Sequence, residues 1–80
     1  MDKTTLFDID EITSALVETT LMEVYDALKE KGYNPVSQIV GYLVSGDPGY
    51  ITSSDGARDK ILSIDRGKIL EAIVKEYLEN

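Results

Sequence analysis

Both prolines and five of the six glycines of this 80-residue chain fall between Lys31 and Arg58. So many backbone-determining residues in one stretch leave few ways to run the chain. Gly32 follows a helical pattern that ends at Glu30–Lys31, and it suits the left-handed residue just past a helix C-terminus. Asn34-Pro35 then supplies a favoured N-cap and a proline at the first helical position, where no needed hydrogen bond is lost. One helix ends and the next begins almost at once, so the two must touch. In the second helix Val36, Ile39, Val40, Leu43 and Val44 recur at three and four, which marks one apolar face. Gly41 within it costs about 1 kcal/mol relative to Ala, and close approach of another backbone is the expected gain. Gly46 ends this helix. Asp47-Pro48-Gly49 reads as a turn, because Pro fixes φ and Gly admits positive φ. Tyr50–Thr52 reads as a short extended piece. Ser53, Ser54 and Asp55 are candidate N-caps for a third helix that begins through Ala57 and Arg58.

The flanks are amphipathic helices. From about Asp10 to Lys31, Ile12, Leu16, Val17, Leu21, Val24, Tyr25 and Leu28 form a broad apolar stripe, opposite Glu11, Glu18, Glu23 and Glu30. Asp10 or Thr13 can cap this helix, and the weak helix formers Thr19-Thr20 mark a place where it can break. Past Arg58, Ile61, Leu62 and Ile64 continue the third helix. Ser63 or Asp65 caps a fourth, from about Arg66 to Leu78, where Ile69, Leu70, Ile73, Val74, Tyr77 and Leu78 give the cleanest amphipathic pattern in the chain. That stripe serves core packing, a dimer face, or both. The expectation is an all-α fold: a compact bundle of about four short helices, with residues 1–10 as a flexible N-terminal arm and 11–80 as a single helical domain.

A chain of this length buries only about 60–65% of its unfolded surface, and association into a homodimer is a common remedy. Its hydrophobic content of 42% is enough for a core and too high for a wholly disordered chain. The net charge of −7 opposes nucleic acid, whose phosphates need Lys and Arg, and opposes anionic membrane surfaces. It favours partners with basic patches. There is no signal-peptide pattern and no apolar run near the ~18 residues that a spanning helix needs, so the expectation is a cytoplasmic protein.

The chain has no His and no Cys, which removes the commonest bases and nucleophiles and any disulfide framework. Gly41 and Gly46 have the spacing of a phosphate loop, but Asp47 and Pro48 stand where Lys and Ser or Thr should follow. Asp8 and Asp10 begin like a calcium loop, and Ile12 and Thr13 then break it. Asp47, Asp55 and Asp59 suit capping better than metal binding. No cofactor or metal is expected, and an enzyme is the least favoured class. Arg58 sits in a first helical turn, where a cation opposes the helix dipole. It therefore calls for a carboxylate such as Asp47 or Asp55, or for a ligand. Tyr33, Tyr42 and Tyr50 read as core-edge residues with buried rings, or else as an exposed aromatic patch. Gly46, Asp47, Pro48, Tyr50 and Arg58 form the candidate partner surface.

The order of residue types in KGYNPVSQIVGYLVSGDPGYI closely resembles the central signature of the IreB family of regulatory phosphoproteins from Gram-positive bacteria. The family run is similar to EKGYNPxxQIVGYLxSGDPxYI, and Glu30 to Ile51 follows it at nearly every position. The resemblance continues through Ala57-Arg58, Asp65-Arg66, Val74-Lys75 and Tyr77-Leu78. Members usually carry a proline where this chain has Thr52, and often a basic, polar run where it has Ser53, Ser54, Asp55 and Gly56. Those departures weaken a basic loop as a contact surface. The resemblance implies a small regulator that is the substrate of a membrane-bound Ser/Thr kinase with an extracellular sensing region. It further implies a role in cell-wall stress and in resistance to cell-wall-active antibiotics, usually as a restraint. Members carry an N-terminal threonine followed three residues on by phenylalanine. Thr4 with Phe7 fits that spacing, with Thr5 as the neighbouring alternative. The downstream partner is not named by the sequence. The competing class is a helix-turn-helix nucleic-acid binder, which the Gly32–Asn34–Pro35 connection allows and the charge opposes.

Overall fold

A computed structural model describes residues 9–79. Within them the chain runs α1 (Ile9–Glu30), α2 (Pro35–Ser45), a 3-10 turn (Pro48–Tyr50), a second 3-10 turn (Ser54–Gly56), α3 (Ala57–Leu62) and α4 (Arg66–Glu79). The all-α expectation holds, with four helices and no strand among the described residues. Helix α1 is the spine, and α2, α3 and α4 each pack against it.

The punctuation between α1 and α2 works as the sequence implies. Gly32 takes φ +85°, and its N–H donates to the Lys29 carbonyl at 3.0 Å while the Tyr33 N–H donates to Leu28 at 3.0 Å. These bonds satisfy carbonyls that a helix end leaves without partners. Asn34 then caps α2, its side chain accepting from the Ser37 N–H at 3.0 Å, with Pro35 in the first turn. Asp65 does the same for α4, accepting from the Lys68 N–H at 3.2 Å.

Other local expectations change. Helix α1 already includes Ile9 and Asp10, so Asp10 and Thr13 lie inside it and neither caps it. No break occurs at Thr19-Thr20, because Thr20 is buried on the face that also carries Val17 and Val24. Tertiary packing there outweighs a weak propensity. Tyr50 is in a 3-10 turn, and Ile51 after it is extended. Neither Ser53 nor Gly56, at the N-cap positions of the second 3-10 turn and of α3, makes a side-chain cap. Instead Asp55 and Gly56 take φ +56° and +70° in succession, which swings the chain into α3. Asp is among the few residues that tolerate this region.

The core gathers Val24 and Leu28 of α1, Tyr42 and Leu43 of α2, Ile51, Ala57 and Ile61 around α3, and Ile69 of α4. Leu28, Ile51, Ile61, Ile69 and Val24 are the largest fully buried side chains, and each contributes about 1.5–3 kcal/mol by burial. The apolar face expected on α2 divides in two. Leu43 is buried and Ile39 packs against the core, joined by Tyr42, whereas Val36, Val40 and Val44 face solvent, Val44 at 80% exposure. An exposed ion pair, Lys60 to Glu23 at 3.3 Å, links α3 to α1.

Candidate functional site

The stretch from Gly46 to Arg58 is held by hydrogen bonds along its length. Ser45 accepts from the Asp47 N–H through its hydroxyl oxygen (3.0 Å) and donates to the Gly41 carbonyl (2.7 Å). The Asp47 carboxylate accepts from the Gly49 N–H at 2.8 Å. The Tyr50 N–H donates to the Asp47 carbonyl at 3.2 Å, and the Ile51 N–H to the Pro48 carbonyl at 3.0 Å. The Thr52 hydroxyl accepts from the Ser54 N–H at 3.2 Å. Gly49 does not use positive φ, so the turn rests on Pro48 and on the Asp47 side chain.

Three long polar side chains brace this stretch and the end of α2 that leads into it. Gln38 Nε2 donates to the Tyr50 carbonyl at 3.0 Å. Arg58 Nε donates to the Ile51 carbonyl at 2.9 Å. Arg66 Nη1 donates to the Leu43 carbonyl at 3.0 Å. The carboxylate expected beside Arg58 is thus replaced by a backbone carbonyl of the loop just before its own helix. Arg66 binds the last turn of α2, where orphan carbonyls concentrate negative charge and a cation is favourable. Gln38 and Arg66 carried no functional weight in the sequence reading. The signal for Arg66 was the one already applied to Arg58: a cation in the first turn of a helix calls for a partner elsewhere.

Two glycines make room for these contacts. A Cβ on Gly41 would lie 2.5 Å from the Tyr50 ring, so the close neighbour of Gly41 is an aromatic side chain and not a backbone. A Cβ on Gly46 would lie 2.7 Å from Arg66 Nη2, and Gly46 also sits at φ +77°. The tyrosines separate accordingly. Tyr42 is buried, Tyr50 lies on Gly41 with its outer surface in solvent, and Tyr33 is exposed.

The expected surface residues Gly46, Asp47, Pro48 and Tyr50 therefore lie on one preformed turn, and Arg58 is anchored to it through Ile51. Much of the turn's backbone is committed internally, so the surface offers shape, the Tyr50 ring, the Asp47 carboxylate and the outer edges of two guanidinium groups. Thr4 and Thr5 lie outside the described residues. No group of three or more acidic side chains among the described residues is placed to hold a metal ion.

A second feature lies at the other end of α1. There α1 and α4 flank an open groove of about 880 Å³. Ala15, Leu21 and Met22 line it from α1 and Ala72, Ile73 and Tyr77 from α4, and Glu11, Glu18, Lys75 and Glu76 supply its charged groups. On the outer side of α4, Leu70, Val74 and Leu78 recur at four and are largely exposed. Ile69 is the one α4 residue that is fully buried. The amphipathic stripe of α4 is thus mostly unused by the fold of a single chain.

No described helix is long and apolar enough to cross a membrane. The family model described as IreB regulatory phosphoprotein matches residues 2–79, which take in every described helix and both 3-10 turns. By its helical fold, its signature turn and this match over essentially its whole length, the chain belongs to the IreB family of regulatory phosphoproteins.

Proposed function

We propose that this chain is a small cytoplasmic regulator and a kinase substrate, not an enzyme. A membrane Ser/Thr kinase phosphorylates its arm, on Thr4 first and with Thr5 as the neighbouring acceptor. In this reading it acts in the response to cell-wall stress and restrains resistance to cell-wall-active antibiotics. The observation that carries the reading is the family match, which spans the arm and includes both threonines. The fold supports it from the other side, since its most elaborated surface is a fixed turn fitted for recognition. A phosphate adds about −1.5 to −2 charge to a chain already at −7, so modification changes what the acidic body attracts or repels.

The turn of Gly46, Asp47, Pro48 and Tyr50 with Arg58 is the proposed contact for a downstream protein. A second copy of the chain is the other proposed partner, meeting it through Leu70, Val74 and Leu78, an apolar ridge exposed in the single chain. Nucleic acid is not favoured. Helix α2, which follows the helix-turn-helix-like connection, carries no Lys or Arg, and phosphate contacts need them.

Phosphosite mapping after incubation with the kinase's catalytic domain tests the reading, with Thr4→Ala and Thr5→Ala as controls. Incorporation lost in Thr4→Ala is the expected result. Absence of any modification within residues 1–8 would overturn it.

A further inference from the structure

We propose that residues 2–8 of the same chain occupy the groove between α1 and α4, and that a phosphate on Thr4 expels them. The expulsion rests on the phosphorylation proposed above, whereas the docking does not.

Position makes the first argument. The groove opens along α1 from Glu11 to Met22, and so begins two residues after Ile9, where the described chain starts. Length makes the second. Glu11 to Met22 covers about 17 Å at the helical rise, and residues 2–8 reach about 23 Å when extended. A segment that reverses at Asp8 and runs back along α1 is long enough to span the groove from end to end.

Chemistry makes the third argument. The walls are apolar, with Met22 and Tyr77 at 60% and 86% exposure. The segment supplies Leu6 and the chain's single phenylalanine, Phe7. Both fall next to the reversal, beside the end of the groove that holds Glu11 and Ala15. Thr4 lies three residues further along, about 10 Å, which is level with the Glu18 turn of α1. Lys3, the one cation of the segment, then faces the acidic rim. A phosphate on Thr4 places two negative charges beside Glu18, in a groove whose charged lining sets three glutamates, Glu11, Glu18 and Glu76, against one cation, Lys75. Docking through Leu6 and Phe7 then gives way to repulsion.

Methyl NMR of the full chain tests this, with Ala, Ile, Leu, Met and Val methyls labelled and Phe7 protonated on the ring. The expected result is nuclear Overhauser contact from the Phe7 ring to the methyls of Ala15, Ala72 and Ile73. The methyls of Val36, Val40 and Val44 should show none. A mixed sample, with methyls labelled in one population and Phe7 in the other, separates contact within a chain from contact between copies. Contacts that persist in the mixed sample, or no contact to the groove, overturn the docking. Ile73→Asp should abolish the contacts while far-UV circular dichroism stays unchanged. Phosphorylated protein, and Thr4→Glu if the kinase leaves Thr4 unmodified, should lose at least four-fifths of the contact intensity. Retention of the contacts in both would overturn the expulsion, and mass spectrometry reads the kinase's choice of residue independently.

Discussion

The two ends of α1 do opposite work. Its C-terminal half carries Val24, Ala27 and Leu28, all buried, and is enclosed by α2, α3 and the turns between them. Its N-terminal half buries Val17 but carries Ile12 and Leu16, both exposed, beside an α4 that buries Ile69 fully. Apolar spacing is equally regular at both ends. The difference lies in what the rest of the chain brings to each. The glycines and prolines of 32–56 fold the middle of the chain back over one end, and among the described residues no similar stretch covers the other. The closed end holds the fold, and the open end leaves apolar side chains of α1 and α4 in solvent among the described residues.

The largest break in this comparison comes from truncating matched apolar residues. Leu28→Ala or Ile61→Ala at the closed end should cost about 2–5 kcal/mol in chemical denaturation. Tyr77→Ala at the open end should cost no more than about 0.5 kcal/mol in the unassociated chain. Similar losses for the two classes would show that the open end is also core.

Within the closed end, Gly46→Ala and Gly32→Ala sharpen the picture. Both residues have positive φ, but a Cβ on Gly32 meets nothing within 4 Å, whereas one on Gly46 meets Arg66. Gly32→Ala should cost about 1 kcal/mol from backbone strain alone. Gly46→Ala should cost about 1 kcal/mol more, as Arg66 gives up the Leu43 carbonyl. In an Arg66→Ala background the two glycine substitutions should become alike.

Arg58→Ala should cost roughly 1–2 kcal/mol by freeing the Ile51 carbonyl, which is partly buried. The Asp47→Asn and Asp55→Asn substitutions should leave that contribution untouched, since neither carboxylate pairs with Arg58. The smallest effect is expected at Lys60, where loss of the exposed pair with Glu23 should change stability by about 0–1 kcal/mol.

How far the sequence revealed this depends on the range of the interaction. Gly32, Asn34-Pro35 and Gly46 were legible because their constraint is local, a φ value or a cap within four residues. The ring of Tyr50 on Gly41, the reach of Arg66 to Leu43 and the bond from Gln38 to Tyr50 were not, because each joins segments whose meeting is set by the whole fold. Asp55-Gly56 was open to two readings, since Asp serves equally as an N-cap and as a left-handed residue. On α2 the periodicity located apolar positions correctly but could not say which side of a five-residue face meets α1. The candidate surface of Gly46, Asp47, Pro48, Tyr50 and Arg58 was visible as an unusual run of residue types. Its rigidity became visible only with the carbonyls that Gln38 and Arg58 hold.

The most direct test of the division between a closed and an open end is sedimentation equilibrium of the wild type and of Val74→Asp, each paired with far-UV circular dichroism. The account predicts a wild-type dimer and a Val74→Asp monomer with unchanged helical content, because Val74 contributes to association and not to the single-chain core. A wild-type monomer, or a Val74→Asp chain that loses its helices, would contradict it.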